Sequence, residues 1–228
     1  TYIANTSVSS YNTTGGESVS FWLKMDYVTG GDYRYILLTR DDDGSNSSII
    51  LIDSDGTILW YRYTSGGTTV VARWTNNSLP NITEWNHFFF IWDGDFMTDP
   101  VLYANNQVVA LNGNGRVSST TRRAKTRIYI GDQSINSSLY ELQGSLQEIA
   151  LYNTQATPTQ VAEIYNNGQY INIYTSSLSS DLVDYWRFGE ESGLSSLSIV
   201  DTISDNTTIF SSNGGNNLVS ESAVSYTH

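Results

Sequence analysis

The chain has 228 residues, a length that suits one large β-domain or two small ones. Its 23 Asp and Glu against 11 Lys and Arg give a net charge of −12, which excludes phosphate-backbone readers and anionic-membrane binders, since both need a cationic patch. There is no cysteine, so disulfides, thiolate metal sites and thiol nucleophiles are excluded together.

The apolar share is 39%, enough for a packed core at a size where roughly 70% of the unfolded surface becomes buried. No apolar run approaches ~18 residues, so no membrane insertion is expected. The chain opens Thr1-Tyr2-Ile3 without a leader pattern, which leaves an upstream segment open.

Period two dominates the pattern. In Ser18 to Tyr27, the residues Val19, Phe21, Leu23, Met25 and Tyr27 share one face, and polar residues with Trp22 share the other. Short strands follow at Arg34–Thr39, Ser48–Ile52 and Thr57–Tyr63, with Asp55-Gly56 as a hairpin turn. Thr68–Trp74 is another strand. His87–Trp92 is almost wholly apolar and reads as a central strand covered on both faces. Leu102–Ala110 reads as a hairpin around Asn105-Asn106, two residues that tolerate left-handed backbone. Arg127–Gly131 and Ser145–Tyr152 complete the series.

One helix interrupts it. Thr157 is placed to cap, Pro158 suits the first turn, and Gln160 completes a capping box. Val161, Ile164 and Tyr165 follow at helical spacing, Gly168 is the expected stop, and the stripe is expected on the sandwich edge. After it, Tyr174–Ser180 has linker composition and Leu182–Phe188 alternates like a strand. The expected architecture is all-β: a sandwich of two antiparallel sheets with one short helix, spanning residues 1–175. An extension, residues 176–228, carries the strand near 182–188 and packs on the sandwich or on a neighbouring subunit.

The order of the segments resembles laminin-G-like modules of the concanavalin A-like jelly-roll class. Ser18-Val19-Ser20-Phe21-Trp22-Leu23-Lys24 resembles their early strand, and Glu84-Trp85-Asn86-His87-Phe88 their "W-x-H" strand. Leu102-Tyr103-Ala104-Asn105-Asn106-Gln107 resembles the "L-Y-x-N-G" hairpin, with Asn106 in place of Gly. Ile128-Tyr129-Ile130-Gly131 resembles the "I-G" strand. The run from Gln143 to Asn153 is similar to "F-x-G-x-I-D-E-V-x-I-Y-N". The ordered set covers roughly Val8 to Gly168. Leu182 to Gly193, reading LVDYWRFGEESG, is also similar to a family stretch, one that usually opens the domain. Tails of this kind are similar to those of bacteriophage structural proteins, which implies a virion or other extracellular surface and other structural subunits as partners.

The resemblance also implies two activities to weigh. Glucan-cleaving relatives carry two Glu with an Asp between them at alternate positions of one strand. Here Leu146–Leu151 holds one carboxylate, Glu148, and the adjacent Glu190 and Glu191 would point oppositely, so a laminarinase-like hydrolase is the alternative and no enzyme is expected. His87, between Trp85 and Phe88, reads as a buried structural residue, and the terminal His228 carries no signal.

Binding is the leading reading. Trp60, Tyr61, Tyr63 and Trp74 offer aromatic faces for sugar rings, and Arg62 and Arg73 offer polar contacts. The competing reading is core packing, because alternation turns half of them inward. Asp41-Asp42-Asp43-Gly44-Ser45-Asn46, with Asp93 and Asp95 if the loops meet, supplies hard oxygen donors that suit calcium. The same residue types also serve a solvated turn. The expected function is noncatalytic recognition of a glycan or a protein partner.

Overall fold

The computed structural model describes residues 2–5, 15–26, 32–41, 43–118, 121–131, 140–169, 171–186 and 209–211. The strands in chain order are β1 (Tyr2–Asn5), β2 (Glu17–Met25), β3 (Arg34–Arg40), β4 (Asn46–Ile52), β5 (Ile58–Tyr63), β6 (Thr69–Trp74) and β7 (Asn86–Trp92). They continue with β8 (Val101–Ala104), β9 (Gln107–Val109), β10 (Gly113–Asn114), β11 (Arg127–Ile130) and β12 (Gly144–Tyr152). After the helix α1 (Pro158–Tyr165) come β13 (Leu182–Trp186) and β14 (Ile209–Ser211). Tyr27, Asp42, Arg187, Phe188, Glu190, Glu191 and His228, all weighed above, lie outside the described residues.

Two antiparallel sheets stack. One has eight strands in the order β10-β6-β5-β4-β3-β11-β1-β14, the other six in the order β13-β12-β2-β7-β8-β9. Three strands, β1, β10 and β14, were not legible as strands. The two strands of the C-terminal extension divide between the sheets: β13 pairs with β12, and β14 pairs with β1.

Alternation builds the core between the sheets. Phe21, Leu23, Phe88 and Phe90 face inward from the six-stranded sheet, and Ile50, Ile58, Trp60, Val70, Ala72 and Trp74 from the eight-stranded one. Trp60 and Trp74 meet Phe90 edge-on at 5.6 and 5.7 Å, within the range where aromatic pairs attract. Every residue of β7 is buried, as its sequence requires. The interior is not wholly apolar: Glu17 pairs with Lys125, and both are buried.

Turn chemistry fixes the hairpins. Asn105 and Asn106 both take positive φ, 49° and 63°, so the β8–β9 turn has the primed twist that matches the strands. Gly56, at φ 83°, closes the β4–β5 turn, where its amide donates to Asp53 O at 2.9 Å.

The helix begins as expected, with the Thr157–Gln160 capping box and Pro158 in its first turn. It ends three residues before Gly168, because Asn166 and Asn167 already take left-handed backbone, at φ 44° and 52°. Its position also differs from the sandwich edge. Val161 and Ile164 pack on Phe89, Ile91, Ala150 and Tyr152, on the outer face of the six-stranded sheet. Within the stretch of linker composition, Tyr174–Ser180, Leu178 is buried against the same cluster, as is Ile173 just before it. One face of one sheet is therefore roofed.

Candidate functional site

The eight-stranded sheet carries the other outer face. Within β5, Ile58, Trp60 and Arg62 point into the sandwich, so Leu59, Tyr61 and Tyr63 point out. Register then fixes their neighbours. Tyr61 lies opposite Val71 of β6 and Ile49 of β4. Ile49 lies opposite Leu38 of β3, and Leu38 opposite Tyr129 of β11. This row crosses five strands. A second row runs Arg73, Leu59, Leu51 and Tyr35.

The two rows form a surface with an aliphatic floor. Leu38, Ile49, Leu51 and Leu59 are buried, and Tyr35, Tyr61, Tyr63, Val71 and Tyr129 pack over them half-buried. Tyr140 meets Tyr35 edge-on at 5.8 Å. Burial pushes the Tyr35 hydroxyl up to about 12 and raises those of Tyr61 and Tyr63. The phenols therefore stay neutral donors across the physiological range. β3, β4, β5, β6, β10 and β11 contain no Asp or Glu, so no acid pair stands on these strands. The outward cations are Arg40, Arg73 and Arg127; Arg40 sits 5.0 Å over the Tyr129 ring and its Nε donates to Asn46 Oδ1 at 3.0 Å.

Of the six residues read as ligand candidates, the structure brings Tyr61, Tyr63 and Arg73 onto this face. The other three are corrected. Trp60 and Trp74 are fully buried, so no ring can stack on them without opening the sandwich. Arg62 also points inward. Its Nη2 donates to Asn114 Oδ1 at 2.6 Å and its guanidinium lies 5.0 Å over the Trp92 ring. Burial draws it down to about 10, a shift that Glu17, Asp99 and Asp93 oppose. Tyr35, Tyr129 and Tyr140 were missed; the signal for the first two was their alternation with Ile36, Ile128 and Ile130.

The described carboxylates of the acidic loops are engaged within the chain. Arg123 Nη1 stands 3.2 Å from Asp41 Oδ2 and 3.8 Å from Asp43 Oδ1. Both carboxylates accept from Ser45 N, at 2.9 and 2.7 Å. Burial and the shared contact with Asp43 raise Asp41, while the hydrogen bonds from Asp41 and Ser45 lower Asp43 to about 2. Asp93 Oδ1 accepts from Asp95 N at 2.8 Å and Thr98 Oγ1 at 2.5 Å, and Asp95 Oδ1 from Met97 N at 2.8 Å, so these groups close their own turn. Arg122 lies against that loop; its guanidinium donates to Gly94 O at 2.7 Å and covers Trp92 at 4.7 Å. Gly94 allows this approach, since a Cβ there would sit 1.2 Å from Arg122 Nη2. Among the described residues no group of three His, Asp or Glu gathers as a metal site.

A smaller feature lies on the roofed sheet. A cavity of roughly 20 Å³, room for one water, is lined by Ser20, Trp22, His87, Glu148 and Gln169. His87 is 2% exposed, its Nδ1 has no hydrogen-bond partner, and burial pushes the imidazole down to about 3. Glu148 takes φ 51° at a β-bulge between Gln147 and Ala150.

Two stacked antiparallel sheets, with one outer face roofed by a helix and the other carrying tyrosines, define a concanavalin A-like jelly roll. The chain belongs to the concanavalin A-like lectin/glucanase superfamily, whose laminin-G-type family model matches residues 1–162. No curated protein matches the sequence significantly. Among solved structures, it is similar to a candidate carbohydrate-binding protein from Bacteroides ovatus, with TM-score 0.59 and 15% identity over 91% of this chain and 54% of that one. It is also similar to a heptameric SAP-like pentraxin from Limulus polyphemus, with TM-score 0.52 and 16% identity over 72% of this chain and 75% of that one. A third is the botulinum neurotoxin serotype D ligand-binding domain, solved with N-acetylneuraminic acid, with TM-score 0.56 and 14% identity over 74% of this chain and 40% of that one. The chain spans about half of the Bacteroides protein and less of the neurotoxin domain. At these identities the likeness is one of fold. Among the described residues no helix is long and apolar enough to cross a membrane.

Proposed function

We propose that the protein is a noncatalytic glycan-binding module and that the outer face of the eight-stranded sheet holds the sugar. The observation that carries this reading is the set of half-buried tyrosines, Tyr35, Tyr61, Tyr63 and Tyr129, spread over three strands above an aliphatic floor. Sugar rings present apolar C–H faces that stack on such rings, while neutral phenols and arginines take the hydroxyls. The carboxylate-free strands support binding without hydrolysis, since a glycosidase needs two acids on facing positions. Superfamily membership and the fold shared with the Bacteroides and neurotoxin proteins lend further support.

The setting we infer is an extracellular or virion surface, on the resemblance of the C-terminal extension to tails that laminin-G-like modules carry in bacteriophage structural proteins. Detection of the chain in purified particles tests that setting. Isothermal titration with a bound oligosaccharide, followed by chromatography of the sugar, tests the function. Saturable binding with the sugar recovered intact supports it; shortened products overturn the noncatalytic reading.

A further inference from the structure

The interior of the sandwich holds an amine and an acid in contact. Glu17 opens β2 in the six-stranded sheet, and Lys125 stands just before β11 in the eight-stranded one. Their side chains meet with exposures of 0% and 8%. A buried ion pair is repaid only when its remaining lone pairs and N–H groups also find partners. Among the described residues Glu17 Oε1 finds none, and neither do Arg62 Nε and Nη1. Arg62 stands near Glu17: its guanidinium lies 5.0 Å over the Trp92 ring, and Trp92 is the register partner of Glu17. Burial pulls the Lys125 ammonium down against the opposing charge of Glu17, and Arg122 and Arg62 add to the fall. A lowered ammonium gives up its proton more readily, and the neutral amine is a nucleophile.

We propose that Lys125 and Glu17 condense into an isopeptide, an amide cross-link that ties the two sheets across 108 positions of the chain. The ion pair first passes a proton from Nζ to Oε2, so that a neutral amine faces a neutral acid. Nζ then attacks Cδ of Glu17, and Oε1 carries the negative charge of the tetrahedral intermediate. The unpartnered N–H groups of Arg62 supply positive charge on that side. A second Nζ proton goes to the Oε2 hydroxyl, the Cδ–Oε2 bond breaks, and water leaves. The product replaces two buried charges by one neutral amide, in a chain with no cysteine to make a disulfide.

The test needs no ligand. Intact-mass spectrometry of the purified full chain, sprayed from denaturing solvent, should find it lighter than its sequence by one water. Tryptic digestion should then yield the peptide ending at Lys24 joined covalently to Ala124–Arg127, because trypsin does not cleave after an acylated Lys125. Lys125→Arg keeps the charge and cannot form the amide. It should regain its full sequence mass and melt on the order of 10 °C lower, as expected for losing a closure of this length. A native chain at full mass overturns the cross-link. So does a water deficit with the two peptides separate, the pattern that cyclisation at an Asp–Gly step such as Asp55-Gly56 would give. A deficit that persists in Lys125→Arg overturns it as well. The peptide map is read on the native chain alone, so the cross-link stays falsifiable even where the variant misfolds.

Discussion

His87 makes the stability of this protein depend on pH in a window where few other groups titrate. It is buried in β7 with its pKa lowered to about 3, from the ordinary 6.5 it regains on unfolding. A lowered pKa means that the unfolded chain binds the proton more readily. Stability is then full above pH 6.5 and falls as pH drops toward 3. Each unit is worth about 1.4 kcal/mol, so the loss is about 2 kcal/mol at pH 5 and about 3 kcal/mol at pH 4. That is a large share of a typical domain's ~5–15 kcal/mol. The charged or titratable neighbours are Glu148, across the small cavity, and Tyr165, whose ring is 5.9 Å away. An ionised Glu148 would soften the loss and cannot reverse its sign. Asp43, Asp55 and Asp99, all lowered, act in the same direction only below about pH 4. Urea unfolding followed by tryptophan fluorescence, from pH 7.5 to 4.5, reads the effect directly. The His87→Gln variant should lose the His87 contribution to the slope between pH 6.5 and 4.5 while keeping that of every other titrating group. Equal slopes in the two proteins would refute the claim that His87 is neutral and desolvated.

Other consequences are quicker to check. Trp74→Ala should cost about 3–5 kcal/mol in chemical denaturation, because its ring fills the space between the sheets, whereas Tyr61→Ala should cost less and lose glycan binding. Asn106→Gly should stabilise the fold by a few tenths of a kcal/mol to about 1 kcal/mol, as glycine enters the left-handed position without strain. Thermal melts with calcium and with EDTA should coincide if the ion pair of Arg123 with Asp41 and Asp43 persists in solution, whereas a calcium-dependent rise in Tm would show that the loop binds the ion.

Much of this was legible in the sequence, for definite reasons. The period-two runs, the Asn105-Asn106 and Asp55-Gly56 turns and the Thr157–Gln160 cap each depend on local chemistry, which residues a few positions apart determine. The orientation of β5 does not. Ile58 to Tyr63 is bulky at every position, because both faces of its sheet are apolar, so parity alone could not tell Trp60 from Tyr61. Arg62 deepened the ambiguity. An arginine signals solvent, yet here Trp60, Trp92 and Asn114 accept it inside. The tyrosines from β3 and β11 were separated from Tyr61 by long stretches of chain, and only the strand order places them together. β1 and β14 are four and three residues long, too short to show a period. The place of α1 was equally hidden, since one apolar stripe fits an edge or a face.

The central claim is that the tyrosine face binds a glycan. The most direct measurement is a glycan array probed with the native protein and with Tyr61→Ala side by side. The account predicts selective binding by the native chain and its loss in the variant, with the fold intact. A blank array for the folded native protein, or binding that Tyr61→Ala leaves unchanged, would contradict it.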